Sequence, residues 1–97
     1  MYVILWEYEC RPGSEAAFES AYGPSGVWVE FFRQGEGYLG TELLRDSSGH
    51  YATIDRWVSA TQHAAFRTLH AEEYRAIDAQ CEQLTTVERH IGSYETV

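Results

Sequence analysis

Tyr2, Ile4, Trp6 and Tyr8 alternate with Val3, Leu5, Glu7 and Glu9, a period of two that predicts a strand over Tyr2–Cys10. Its first residues are apolar on both faces, as in a strand covered on both sides. Arg11-Pro12-Gly13-Ser14 breaks it. Ser14 reads as a helix cap, with Glu15 in the first turn where the helix dipole favours an acid. Phe18, Ala21 and Tyr22 then recur at helical spacing, facing a core. Gly23-Pro24-Ser25-Gly26 interrupts the helix, and a second short one carrying Trp28, Phe31 and Phe32 ends near Gly35. Tyr38–Asp46 reads as the second strand and Asp46-Ser47-Ser48-Gly49 as a hairpin turn, its glycine supplying positive φ. In the third strand, His50–Val58, Tyr51, Thr53, Asp55 and Trp57 share one face and Ala52, Ile54 and Arg56 the other. Ser59 and Gln62 fit a capping box. The following helix sets Phe66, Leu69 and His70 on one face, and continues or re-forms through Tyr74, Ile77, Cys81 and Leu84. Thr85 with Glu88 looks like a further local cap, and Ile91–Val97 like the last strand.

This order, β-α-β-β-α-β over residues 1–97, predicts a single α+β domain of the ferredoxin-like kind: a four-stranded antiparallel sheet with its helices on one face. The other face would be left bare. A bare apolar sheet face needs a partner, and a second copy related by a two-fold axis supplies one most simply, so a homodimer is expected.

Composition sharpens this. Aromatic residues make up 14% of the 97 positions, with three Trp, seven Tyr and four Phe. That is a large load for one small core, and it suggests a subunit interface, an apolar ligand pocket, or both. The net charge is −8, and all seven cations are Arg. An acidic surface without clustered cations argues against nucleic acid and against anionic membranes. No apolar run approaches the about 20 residues of a membrane span. The opening segment lacks the basic and small-residue marks of a signal peptide. Cys10 and Cys81 are in no metal-ligand spacing and read as reduced thiols of a cytoplasmic protein, with a disulfide between them the lesser alternative. The absence of both Lys and Asn suggests a GC-rich bacterial genome.

The residues also resemble a family. Arg11-Pro12-Gly13, Tyr22-Gly23-Pro24 followed by Trp28 and Phe32, Gly37-Tyr38-Leu39-Gly40, and Tyr51 through Ile54-Asp55-Arg56-Trp57 to Ser59 carry the likeness. Phe66-Arg67, His70, Tyr74, Asp78 and Cys81-Glu82 through Leu84-Thr85 continue it. In order and spacing these are similar to the antibiotic biosynthesis monooxygenase domain of the dimeric α+β barrel superfamily. The resemblance implies a homodimer whose two sheets form a barrel, and a pocket between sheet and helices in each subunit. It also implies oxidation of a small aromatic, quinol or polyketide-like compound by O2, without metal or flavin. A haem-degrading branch of the superfamily has key residues that here fall near Trp6, Phe66 and Ala76, all of which differ, so haem is not expected.

Such chemistry needs a base for the substrate proton, donors for the resulting oxyanion and a dry apolar surround. By the resemblance, Trp57 is the indole N–H donor, and Thr53 stands where such enzymes often place an Asn. His70 is the candidate base, since histidine as a residue type suits proton transfer near neutrality, and Tyr74, one turn on, is its helper. Trp6, Tyr22, Trp28 and Phe66 are candidate pocket walls, and Asp55 is a candidate partner for His70. Each has a plainer reading: Trp57 and the aromatics as core or interface, His70 as a helix-end residue, Tyr74 as packing, Asp55 as half of a minor ion pair. His50 and His63 read as solvated, and His90 as near the interface. The four His have no metal-ligand spacing. Two other functions stay open: a non-catalytic protein or sensor that binds a small aromatic ligand, and an isomerase or lyase working by proton transfer alone.

Overall fold

β1 (Tyr2–Cys10) runs through the middle of a four-stranded antiparallel sheet of order β2-β3-β1-β4 in the computed structural model, which describes residues 1–97. β2 spans Tyr38–Arg45, β3 Tyr51–Trp57 and β4 Thr85–Glu95. Helices α1 (Glu15–Tyr22) and α2 (Val27–Phe32) link β1 to β2; α3 (Ala60–Leu69) and α4 (Ala71–Cys81) link β3 to β4 through a 3-10 turn at Glu82–Leu84. This is the ferredoxin-like α+β arrangement expected from the sequence.

The two halves of the hairpin are fixed by local chemistry. Asp46 Oδ1 accepts from the backbone N–H of Ser48 and of His50, and Gly49 takes a φ of 84°. Ser59 caps α3 by accepting from Gln62 N at 3.1 Å. The reciprocal half of the expected capping box is absent, because the Gln62 side chain meets the Ser59 hydroxyl instead. Ser14 makes no side-chain cap; Glu15 Oε1 takes the Gly13 N–H at 2.9 Å.

Register shifts, one in β2 and two in β4, decide which side chains face the helices. In β2, Tyr38 pairs with Trp57 but Gly40 with Arg56, so Leu39 is bulged out and 55% exposed. Gly40 adopts a φ of 146°, which a residue with a Cβ rarely takes. The bulge restores Thr41 to the helix side, opposite Asp55. β4 shifts against β1 at Leu5/Trp6, where Ile91 is the extra residue, and it begins at Thr85 rather than Ile91. The run Thr85–His90 is therefore strand, not a helix cap. Its mix of Thr, Val, Glu and Arg is that of an edge strand with little to bury.

The core is aromatic almost throughout. Among its 12 buried residues only Ile4, Ile77 and Cys81 are not rings. Phe18 stacks on Tyr22 at 4.3 Å, and Phe31 packs tilted on Phe66 at 4.8 Å. Pairs of this kind contribute about 0.5–1.5 kcal/mol beyond the area they bury. Much of the aromatic load that the sequence assigned to an interface is therefore spent inside the subunit. Leu69, expected on the core side, is 79% exposed because α3 ends at it. The chain turns there: His70, at φ −112° and ψ 30°, ends α3 and starts α4.

Gly35 lies where two aromatic rings close over the backbone. A Cβ there would meet Phe66 Cδ1 and Trp57 Cη2, each at 2.7 Å. Both rings belong to the packed core, so neither has room to move. Gly35→Ala is expected to lower stability by about 1–3 kcal/mol in urea unfolding; an unchanged midpoint would show that the rings yield.

Candidate active site

Strand alternation makes the site. On β3 the buried inward residues are Tyr51, Thr53, Asp55 and Trp57, so two polar side chains are set between two aromatic ones. Thr53 and Asp55 form the floor of a cleft between the sheet and α1, α2 and α4. Trp6 and Tyr8 of β1, Tyr22 of α1, Trp28 and Phe32 of α2 and Tyr74 of α4 are its walls. Thr41 joins the floor, and Asp78 and Glu88, both exposed, stand at the mouth. The cleft holds about 420 Å³ of empty space, open mouth included; a water's centre has about 40 Å³ to move in. A cleft of this size lined by aromatic rings suits a small aromatic molecule.

Asp55 is 9% exposed, and its carboxylate accepts from Thr41 Oγ1 at 2.6 Å. An ionised carboxylate only accepts, so Thr41 spends its proton there. The Tyr38 hydroxyl, 2.6 Å from Thr41 Oγ1, must then donate, giving a directed chain from Tyr38 through Thr41 to Asp55. Burial pushes the Asp55 carboxyl up to about 6, against the smaller opposing effect of the Thr41 bond. The groups facing it cannot neutralise it. Burial raises Tyr8, Tyr22 and Tyr74 as well, and Glu88 is raised by burial and then by Asp78. Tyr8 and Thr53 share a hydrogen bond of 3.2 Å. Trp28 Nε1 is buried without a hydrogen bond of good geometry, and its polar neighbours are the Tyr22 hydroxyl and the Cys81 thiol, both of which it favours in their ionised form.

Of the residues picked from the sequence, Thr53, Asp55, Tyr74, Trp6, Tyr22 and Trp28 come together around the cleft. Trp57, Phe66 and His70 do not line it. Trp57 has no exposed surface and packs on Phe66 at 5.2 Å, under α3. His70 lies on Phe66 at 4.7 Å, and its Nδ1 is 3.9 Å from Glu73 rather than paired with Asp55. The break at His70 explains this, since it turns α4 so that Tyr74 and Asp78 face the cleft while Phe66 and His70 stay on the Trp57 side. His63, read as solvated, is instead half-buried against Trp57 at 5.2 Å and Tyr2 at 5.6 Å. Burial holds its pKa down to about 4.

The sequence reading missed Tyr8, Phe32, Thr41, Asp78 and Glu88. Tyr8 shares the parity of Trp6, and Asp78 follows Tyr74 by one helical turn, so both were findable. Thr41 was hidden by the Gly40 bulge, and Glu88 by the misread start of β4.

Solved structures share this architecture. The cofactor-independent oxygenase SnoaB of Streptomyces nogalater superposes with a TM-score of 0.79 at 18% identity, over 99% of this chain and 92% of that one. A Nitrosomonas europaea protein assigned to the antibiotic biosynthesis monooxygenases gives 0.75 at 13%, over 100% and 99%. One from Deinococcus radiodurans, assigned likewise, gives 0.73 at 21%, over 100% and 93%. No protein-family profile and no curated protein matches the sequence.

Asp55 and His63 make opposite predictions for stability against pH. The Asp55 pKa is raised on folding, so the native state holds the extra proton and stability falls as pH rises through about 4–6. That leaves a cost of about 3 kcal/mol at neutral pH. The His63 pKa is lowered, so its contribution is full above about 6.5 and is lost as pH falls toward 4. The two slopes oppose each other in the wild type. Asp55→Asn is expected to be more stable by about 1–3 kcal/mol at pH 7.5 and little changed at pH 4.5, in urea titrations. His63→Gln should leave stability falling as pH rises through the same window. A variant profile parallel to the wild type would contradict the assignment for that residue. In element order, sheet topology and superposition, the chain has the fold of the antibiotic biosynthesis monooxygenases.

Proposed function

We propose that the chain is a cofactor-free monooxygenase that oxidises a small aromatic hydroxyl compound with O2, with Asp55 as the base. The observation that carries this is a buried carboxylate on the floor of an aromatic cleft, with its pKa pushed up to about 6. A base is most useful when its pKa is close to the working pH. The likeness in fold to SnoaB, named a cofactor-independent oxygenase, supports the same reading.

In this scheme Asp55 takes a proton from the substrate, and the anion gives an electron to O2. The radical pair then combines, and the peroxide collapses. For a substrate with a reactive methylene, the methylene carbon loses both hydrogens and becomes a carbonyl, and one O2 is consumed. One oxygen atom enters the product as that carbonyl, the other leaves with the two hydrogens as water, and the substrate supplies every electron. The Thr53 hydroxyl is the donor toward the substrate oxygen, Tyr74 positions the ring, and Trp6, Tyr22 and Trp28 are its apolar walls. Trp57, Phe66 and His70 serve as the packed support behind this wall. A non-catalytic binder would not need a strained carboxylate in the cleft. An isomerase would use the same base without O2.

The sheet's outer face supports a homodimer. It carries Val3, Leu5, Ile54, Leu44 and Tyr94, with Leu44 46% and Tyr94 52% exposed. Ion pairs Arg89–Glu7 and Arg56–Glu42 flank these residues. A second copy laid on this face would bury the stripe.

Oxygen uptake with anthrone-like phenols tests the activity. Wild type should exceed the uncatalysed rate, and kcat/KM should rise with pH through about 6 as Asp55 ionises. Asp55→Asn should lose about 10²-fold or more, whereas His70→Ala should stay within a few fold. Loss in His70→Ala with activity kept in Asp55→Asn would reverse the choice of base; proton exchange without uptake would favour the isomerase, and quenching of Trp fluorescence alone the binder. For the interface, Ile54→Arg should convert a dimer to a monomer in sedimentation; a wild type that sediments as a monomer refutes it.

A further inference from the structure

The charge of the cleft constrains its ligand. Carboxylates reach it from three elements: Asp55 from β3, Asp78 from α4 and Glu88 from β4. No Arg and no His lines it. Neither Asp55, Asp78 nor Glu88 has a cation within salt-bridge distance; the ion pairs lie elsewhere on the molecule. The two basic side chains close behind the walls are otherwise engaged. Arg67 lies over the Tyr74 ring, 3.9 Å from its centroid, and His90 leans on Trp6 at 5.1 Å while sharing a hydrogen bond with Ser93.

When the substrate's proton passes to Asp55, the negative charge moves to the ligand oxygen, in a cleft that still holds the carboxylates of Asp78 and Glu88 and has no cation in its lining. In a partly desolvated cleft the repulsion between these charges is strong. The charge balances if the ligand brings its own cation. The walls favour the same thing, because the faces of Trp and Tyr rings attract ammonium groups.

We propose that the ligand is a small aromatic hydroxyl compound bearing a protonated amine, with its ammonium between Asp78 and Glu88 at the mouth and its oxygen toward Asp55. The need for the oxygen to ionise rests on the oxygenase reading; the charge preference is measured by binding alone. The mouth residues are exposed and make no ion pair with the rest of the fold, so they are free to hold a ligand group.

The test uses three 2-naphthols that differ only in the tail at carbon 6: aminoethyl, propyl and carboxyethyl. Isothermal titration of the wild-type protein at low salt should rank them ammonium, neutral, carboxylate, with the first at least about tenfold tighter than the second. Asp78→Asn combined with Glu88→Gln should bring the three within about threefold, with the circular dichroism spectrum unchanged. Equal or tighter binding of the neutral or carboxylate compound, no binding of the amine, or a preference that survives in the double variant would each overturn the proposal. Oxygen uptake read on the same three compounds separates the two claims. Amine preference without uptake removes the oxygenase and keeps the ligand class, and uptake that favours the carboxylate does the reverse.

Discussion

A strand sends every second side chain to the same face, and on β3 this rule places Thr53 and Asp55 between Tyr51 and Trp57. The aromatic members must be buried to hold the subunit together, so the polar members are buried with them. That coupling generates the rest. Asp55 is largely cut off from water, β3 brings no cation to it, and its one side-chain partner is the hydroxyl of Thr41. The carboxylate is held where its ionised form is unfavourable, and the cleft above it is the only direction in which that strain can be relieved by another molecule. The site is a consequence of strand geometry before it is anything chemical.

The aromatic core has a second role in this. Rings are large and stiff, and they pack at fixed angles. Phe18, Tyr22 and Tyr8 brace one side of the cleft, with Tyr8 and Tyr22 5.0 Å apart and Phe18 stacked behind. Trp28, Phe32 and Tyr74 brace the other, Trp28 lying 5.7 Å from Phe32 and 5.2 Å from Tyr74. Because the same rings are core on one side and wall on the other, the cleft is preorganised and its shape is not free to drift with a mobile loop.

Much of the fold was legible in the sequence because period and punctuation agree. Alternation marked β1 and β3, Asp46 to Gly49 marked the hairpin, and Ser59 marked the start of α3. The misreadings have one physical origin, the bulge. An extra residue at Leu39 and another at Ile91 each reverse the parity of the strand residues beyond them. A strict period of two therefore sends Thr41 to the wrong face and makes Thr85–His90 look unlike a strand. In the site, the residues set by simple parity or one helical turn, Trp6, Thr53, Asp55, Tyr22 and Tyr74, were legible. The side chains set by position in a family pattern, Trp57 and His70, were not at the cleft. Pattern fixes which helix a residue is on, but the direction of α4 depends on the backbone of His70, which no spacing rule encodes.

That turn at His70 divides the labour of the second helical crossover. α3 belongs to the interior: Phe66 locks onto Trp57 and Phe31. α4 is shared: Ile77 and Cys81 join the core, while Tyr74 and Asp78 line the cleft. Tyr74 packs on Trp28 and Phe31 and lies under Arg67 of α3, so it ties cleft to core; Asp78 is exposed and does not. The charge at the cleft mouth is thus set by a position that the packing does not use, and a replacement at Asp78 can reverse it while folding is inherited unchanged.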